Sequence, residues 1–350
     1  QDLPDKESAT MFFQDCKLAH QAQIAGISHS VKEILPPDLL DLTQLQKEAN
    51  IRYGFTASEV YDIAQSLYEK KLISYPRTSS RYLTEDVFDS LPPIMARLLS
   101  WELFPAAKGT GGIDISGLSR HIINAEKANV HHAIIITGIR PGNMSEKEMQ
   151  VYRLVAGRML ETFMAPCRIE TTNVEAVCAA QHFKAEQTRI IEAGWHDVFM
   201  RSDMVPKSGY SVNELPEVEK SDTLNVCGCN MVHKKQLPVN PFTDAELVEY
   251  MEQNGLGTVS SRTNIIRTLV NRKYIRYSGK YIVPTPKGMF TYETIRGKKI
   301  ADTSLTADWE KQLAGLESGM ITGQDFLNRI RTLAKEMTDD IFNTYSSKEE

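Results

Sequence analysis

Apolar side chains recur at helical spacing through most of residues 43–163 and alternate with polar ones between 171 and 226. Thr43 is placed to cap a helix carrying Leu45, Ala49 and Ile51, which Gly54 interrupts. Thr56-Ala57-Ser58-Glu59 has the capping-box pattern, and Val60, Ile63, Ala64 and Leu67 follow with a helical period. Thr84 opens a short helix with Val87, Phe88 and Leu91, and residues 93–99 form the next. A second capping box, Ser145-Glu146-Lys147-Glu148, starts a long helix through Leu154, Val155, Met159, Leu160 and Phe163, which Pro166 ends.

Residues 171–179, 183–191 and Leu224-Asn225-Val226 read as strands, with Gly194-Trp195 a turn between strands and Trp195 a core residue. Residues 1–35, with Ile24, Ile27 and Val31 but no clear helix caps, also read as strands. They pair with the later β segment, so the helical stretch between becomes an insertion. Residues 109–112 read as loop. Beyond Phe242, Thr243-Asp244-Ala245-Glu246 is a third capping box, before Leu247, Tyr250 and Met251. Gly255-Leu256-Gly257-Thr258 is a turn, and Ser261 caps a helix with Ile265, Ile266, Leu269 and Val270. Tyr274-Ile275 and Tyr281-Ile282-Val283 form a hairpin around Ser278-Gly279-Lys280. Helix, turn, helix and a two-strand wing make a DNA-binding arrangement. Residues 307–345 read as amphipathic helix.

The chain has 350 residues, 41% hydrophobic and 24% charged, which describes a globular protein of two or three domains. It has no apolar run of membrane-spanning length and no signal-peptide pattern. Five scattered cysteines (Cys16, Cys167, Cys178, Cys227, Cys229) read as reduced structural thiols of a cytoplasmic protein, since Cys227-Gly228-Cys229 has the wrong spacing for zinc. The net charge of −5 argues against a general nucleic-acid binder, but residues 255–300 hold ten Lys or Arg and one acid, Glu293. That local excess is a footprint for phosphate.

The chemistry concentrates at Leu72-Ile73-Ser74-Tyr75-Pro76-Arg77-Thr78-Ser79-Ser80-Arg81-Tyr82-Leu83. Pro76 biases Tyr75 towards an extended conformation, which brings Arg77 to the same side. A phenol with a pKa of about 10 needs help to lose its proton. A guanidinium favours the phenolate and grips phosphate through two parallel hydrogen bonds. By spacing alone, Tyr75 also fits an ordinary half-buried tyrosine and Arg77 a surface charge.

Leu67-Tyr68-Glu69 followed by Leu72-Ile73-Ser74-Tyr75-Pro76-Arg77-Thr78-Ser79-Ser80 resembles the active-site signature of type IA DNA topoisomerases, "LYE…LITYPRTDS". Pro36-Pro37 with Asp41-Leu42-Thr43-Gln44-Leu45-Gln46-Lys47-Glu48-Ala49-Asn50 resembles their "PP…DLTTLQREAN". His131-His132-Ala133-Ile134-Ile135-Ile136-Thr137 resembles "HHGIIPT", and Gly255-Leu256-Gly257-Thr258-Val259-Ser260-Ser261-Arg262 resembles "GIGTPATR". The blocks stand in family order, and the best match is to the topoisomerase III branch.

The resemblance implies a multidomain α+β, toroidal fragment with a β-rich arch and two mainly helical, helix-turn-helix-like domains. The arch would span 1–36 and 163–240, an inserted helical domain bearing the tyrosine 37–162, and a helical single-strand-binding domain 241–350. It further implies that Tyr75 attacks single-stranded DNA and becomes linked to a 5′ phosphate, with Arg77 and His131 assisting, before another strand passes and the break reseals. That chemistry would relax negative supercoils or decatenate DNA without ATP. DNA contacts are expected at Thr78, Ser79, Arg81, Thr258, Ser260, Ser261, Arg262, Arg267, Arg272 and Lys273. Among the histidines, His121 and His132 read as structural, while His131 falls on the family's histidine. Ile136 stands where the family has proline, which bears on loop shape.

The family's amino-terminal metal-binding domain has no match here. Asp339 and Asp340 lie in the helical tail and do not form a Mg²⁺ cluster. Mg²⁺ is therefore expected in the full-length enzyme with its ligands outside this chain. The start at Gln1 is read as the cut end of a longer bacterial protein, nucleoid-associated or plasmid-encoded. Expected partners are single-stranded DNA and the missing amino-terminal domain, with no membrane. A non-enzymatic winged-helix protein would need the basic segment but not Tyr75. A relaxase would want a histidine metal cluster, and a recombinase a late tyrosine.

Overall fold

A computed structural model describes residues 6–101, 103–104, 113, 117–128, 131–199, 215–232 and 240–346. The expected loop at 109–112 lies outside them. In chain order the elements are α1 (Lys6–Leu18), β1 (Gln21–Ile34), α2 (Leu42–Tyr53), α3 (Ala57–Glu69), α4 (Glu85–Asp89), α5 (Leu91–Ser100) and α6 (Glu146–Phe163). There follow β2 (Cys167–Cys178), β3 (Gln181–Glu192), β4 (Thr223–Asn225), α7 (Asp244–Gln253), α8 (Arg262–Asn271), β5 (Ile275–Ser278), β6 (Tyr281–Pro284), α9 (Pro286–Ile295), α10 (Thr303–Glu317) and α11 (Gly323–Ser346). Among the described residues no helix is long and apolar enough to cross a membrane. The fold is α+β, its strands antiparallel and segregated from its helices. The chain divides into two compact units, 1–37 with 95–119 and 157–239, and 38–94 with 120–156 and 240–350.

The first unit is built on an antiparallel sheet of order β3-β2-β1-β4. β1 pairs with β2 from Gln23 opposite Val177 to Ile34 opposite Cys167, with a bulge between Ile24 and Gly26. This is the pairing expected between the first strand region and the later β segment. Ala179 and Ala180, both at positive φ (48° and 59°), form the two-residue turn between β2 and β3, as right-handed strand twist favours. Beyond β3 the expected turn is a 3₁₀ helix, Gly194–Val198. Gly194 has φ 52°, and a Cβ there would lie 2.3 Å from the carbonyl oxygen of Pro166. Trp195 is buried, with its indole N–H donating to the Ile34 carbonyl at 2.9 Å.

Residues 6–18, expected as strand, are the helix α1. The adjacent apolar residues Met11, Phe12 and Phe13 blur the helical period, and no capping signal precedes them. Cys16 is its buried contact, and burial first, then the neighbouring Cys178 and Cys229, push that thiol's pKa up to about 11.

In the second unit α2 is capped by Asp41 instead of Thr43. One Asp41 carboxylate oxygen accepts from the Gln44 N–H at 2.7 Å and the other from Arg81 Nε at 2.8 Å. Thr43 reaches Glu252 on α7. Gly54, at φ 70°, closes α2. The capping boxes Thr56/Glu59, Ser145/Glu148 and Thr243/Glu246 are all formed.

A small core of Ala57, Val248, Met251, Ile266 and Ile282 joins α3, α7, α8 and the β5–β6 hairpin. Asp244, buried at the start of α7, accepts from the Ala57 N–H and from the Tyr277 hydroxyl. Burial holds its carboxyl above the usual range in spite of those bonds. The tail expected as one amphipathic helix is two, α10 and α11, because Gly319 turns the chain at φ 73°.

Candidate active site

α3 ends where Lys71 takes a left-handed φ of 58°, which redirects the chain into the Leu72 to Tyr82 loop. The loop is held by a second extended segment, residues 131–137. The Ser74 N–H donates to the Ile135 carbonyl at 2.8 Å, and the Ser74 hydroxyl to that of Ala133 at 3.1 Å. The Ala133 N–H donates back to Tyr82, and Ile73 and Ile136 form an antiparallel bridge. Ile136, where the resembling motif has proline, is fully buried. An isoleucine therefore keeps this segment extended through packing and backbone pairing.

Thr78 ties the two segments together. Its hydroxyl donates to the His131 carbonyl at 2.9 Å and accepts from the Ser80 N–H at 3.0 Å, while its carbonyl accepts from Leu42.

These ties bring Tyr75 and His131 ring to ring, with centroids 4.4 Å apart and planes tilted by 46°. Tyr68, at the end of α3, also meets Tyr75 edge-on, with centroids 5.4 Å apart. Tyr75 is half-buried and His131 exposed. Arg77 lies over the Tyr61 ring at 5.1 Å and donates through Nη2 to Gln65 Oε1 at 3.1 Å. Its Nε is buried and has no partner among the described residues. Ser79 is exposed. Arg81 is engaged with Asp41, whose carboxyl burial pushes up against the lowering pull of the Gln44 N–H and of Arg81. His132 turns its Nδ1 to the Ala133 carbonyl, and His121 belongs to a short 3₁₀ turn, Arg120–Ile122.

The basic segment divides in two. Gly255 and Gly257 take positive φ, and the Thr258 N–H donates to the Ser261 hydroxyl, which therefore does not cap α8 as expected. Thr258 and Ser260 face solvent with their hydroxyls 3.2 Å apart. Arg262 is buried and paired with Glu252 at 3.1 Å. Arg267 binds Ser58 and Asp62 of α3, the latter at 2.8 Å. Arg272 and Lys273 are exposed, and Lys287 joins them by donating to the Arg272 carbonyl. α3 thus carries α8 near its start and leads into the Tyr75 loop at its end.

Sequence reasoning passed over Gln65, Tyr61 and Asp41. The i, i+4, i+8 spacing of Tyr61, Gln65 and Glu69 was the available signal for a shared helix face. No group of three or more His, Cys, Asp or Glu among the described residues is arranged to hold a metal ion.

The family model described as DNA topoisomerase matches residues 1–328. DNA topoisomerase 3 of Bacillus licheniformis is 32% identical over 344 residues, covering 91% of this chain and 47% of that protein. DNA topoisomerase 3 of Bacillus subtilis is 30% identical over 352 residues, covering 93% and 48%. The chain thus spans about half the length of the curated relatives it matches. The solved full-length topoisomerase I of Thermotoga maritima superposes with a TM-score of 0.73 at 23% identity, covering 96% of this chain and 55% of that one, a likeness of fold. With these matches in hand, the chain belongs to the DNA topoisomerase family, of the type IA class that its sequence blocks resemble.

Proposed function

We propose that this chain supplies the nucleophile of an enzyme that breaks and rejoins single-stranded DNA. The observation that supports this most is the 4.4 Å approach of the Tyr75 and His131 rings on a loop that also carries Arg77. The Tyr75 hydroxyl releases its proton to solvent as its oxygen attacks phosphorus, a tyrosine–phosphate bond forms, and the bond to the 3′ oxygen breaks. The strand keeps a 5′ phosphate on Tyr75, and the leaving oxygen takes a proton to become a 3′ hydroxyl. His131 donates to that oxygen or to a phosphate oxygen. The Arg77 guanidinium, held by the neutral acceptor Gln65, keeps its positive charge for the phosphate.

Resealing reverses the step, and the phosphotyrosine conserves the bond energy, so ATP is not consumed. Mg²⁺ is assigned to the full-length enzyme with ligands outside this chain. The described residues offer no group of three or more His, Cys, Asp or Glu to hold the ion. The remaining half of the protein and single-stranded DNA are the proposed partners. The family match does not favour the non-enzymatic winged-helix reading.

The test is covalent capture. Full-length protein mixed with labelled single-stranded DNA and Mg²⁺, then denatured, should retain label, and Tyr75→Phe should retain none. An adduct of equal yield in Tyr75→Phe would remove Tyr75 from the role.

A further inference from the structure

One face of α3 is turned to Arg77, and the roles assigned so far give it nothing to do. Tyr61, Gln65 and Glu69 are spaced i, i+4, i+8, so they form a single stripe. Gln65 is the centre of a relay along it. Its Nε2 donates to Glu69 Oε1 at 2.8 Å, and its Oε1 accepts from Arg77 Nη2 at 3.1 Å. The amide has one sensible orientation, because a carboxylate can only accept and a guanidinium can only donate. Glu69 thus aims the Gln65 carbonyl at Arg77, while the Tyr61 ring lies against the guanidinium at 5.1 Å.

We infer that Gln65 is a positioning residue for Arg77, fixing through a neutral acceptor the direction of the guanidinium on the loop that carries Tyr75. The inference rests on the reading of Tyr75 and Arg77 given above. A residue bound only on one side would swing through several rotamers, and an arginine has many to lose. The Gln65 bond and the Tyr61 ring remove that freedom before DNA arrives, which is preorganisation.

The neutrality of the amide matters. A carboxylate at position 65 would also accept from Arg77, but it would take the fork in a bidentate pair and cancel its charge. Gln65 occupies one N–H and leaves the positive charge of the guanidinium uncancelled.

The experiment measures single-turnover cleavage of a labelled single-stranded oligonucleotide by full-length protein in Mg²⁺, at saturating DNA. Gln65→Ala should cleave about tenfold more slowly, with DNA affinity within about twofold of wild type and an unchanged melting temperature. Gln65→Glu should be at least as slow, although it keeps an acceptor; a purely structural role would be met by glutamate. Neither change should slow a protein that already carries Arg77→Lys, since both act through that fork.

Wild-type cleavage in Gln65→Ala or Gln65→Glu overturns the inference, and so does a Gln65→Ala loss that multiplies with Arg77→Lys. Wild-type cleavage in Arg77→Lys together with an undiminished adduct in Tyr75→Phe sinks the reading of the site itself, and the positioning role with it. A normal Arg77 defect with an indifferent Gln65 sinks only the positioning role.

Discussion

Glu148 gathers the hydroxyl of Ser66 at 2.7 Å, the ammonium of Lys70 and the N–H of Ser145 at 2.9 Å. It fastens the end of α3, just ahead of the Tyr75 loop, to the start of α6. Lys70 first, then the Ser145 N–H and Ser66, hold its carboxyl down at about 2. A carboxyl whose folded pKa is depressed stabilises the fold above its unfolded value, about 4.3, and loses that contribution as pH falls towards the folded value. Glu148→Gln should therefore lower stability by about 1 kcal/mol at pH 7, and the difference should fade between pH 4.3 and 2. Thermal melts of both proteins across that range check it; a pH-independent difference would assign the effect to packing. Residue identity also tells Thr78 from its neighbours. Thr78 and Ser79 look equivalent as hydroxyl donors in sequence, yet Thr78 spends its hydroxyl on His131 and Ser80 while Ser79 faces solvent. Burial made that distinction, and no local pattern encodes it.

At the level of elements, α8 separates the basic residues by what they face. Arg262, buried against Glu252, and Arg267, bound to Ser58 and Asp62, hold α8 to α7 and α3. Arg272 and Lys273 at the helix end project into solvent, with Lys287 beside them. Phosphate contacts on single strands each contribute roughly 0.7 to the log–log salt slope. Replacing Arg272 and Lys273 together with alanine should reduce the slope for single-stranded DNA by about 1.4. Arg262→Ala should instead leave the slope nearly unchanged and cost about 3 kcal/mol, because it empties a buried site and leaves Glu252 with the Thr43 hydroxyl but no countercharge. Fluorescence titrations from low to moderate salt, paired with denaturant melts, separate the two. A slope that drops with Arg262→Ala at full stability would instead mark Arg262 as a phosphate contact. The strand and capping-box expectations held at this level because each rests on neighbours in sequence. The helix α1 and the break between α10 and α11 did not, since one lacks a cap signal and the other turns on a single glycine.

For the whole molecule, binding and chemistry should come apart. The basic surface lies in this chain, whereas its described residues arrange no metal site. The 350-residue chain alone should bind single-stranded DNA without Mg²⁺ and form no covalent adduct, and the full-length protein should form one. Filter binding and denaturing gels on the two proteins decide it. An adduct from the chain alone would place all the required chemistry within these residues; no affinity at low salt would remove the basic surface as a DNA site.

By itself the sequence determined the helical periods, the three capping boxes, the strand alternation and the order of the motif blocks, because those depend on propensity and on spacing along one chain. Only the tertiary structure decided that His131 stands against Tyr75 and that Gln65 holds Arg77. It likewise decided that Asp41 holds Arg81, and that Arg262 is buried. Each of these is a pairing between segments far apart in sequence or a matter of burial. Such pairings are set by packing and by the need to satisfy buried polar groups, which local sequence does not record.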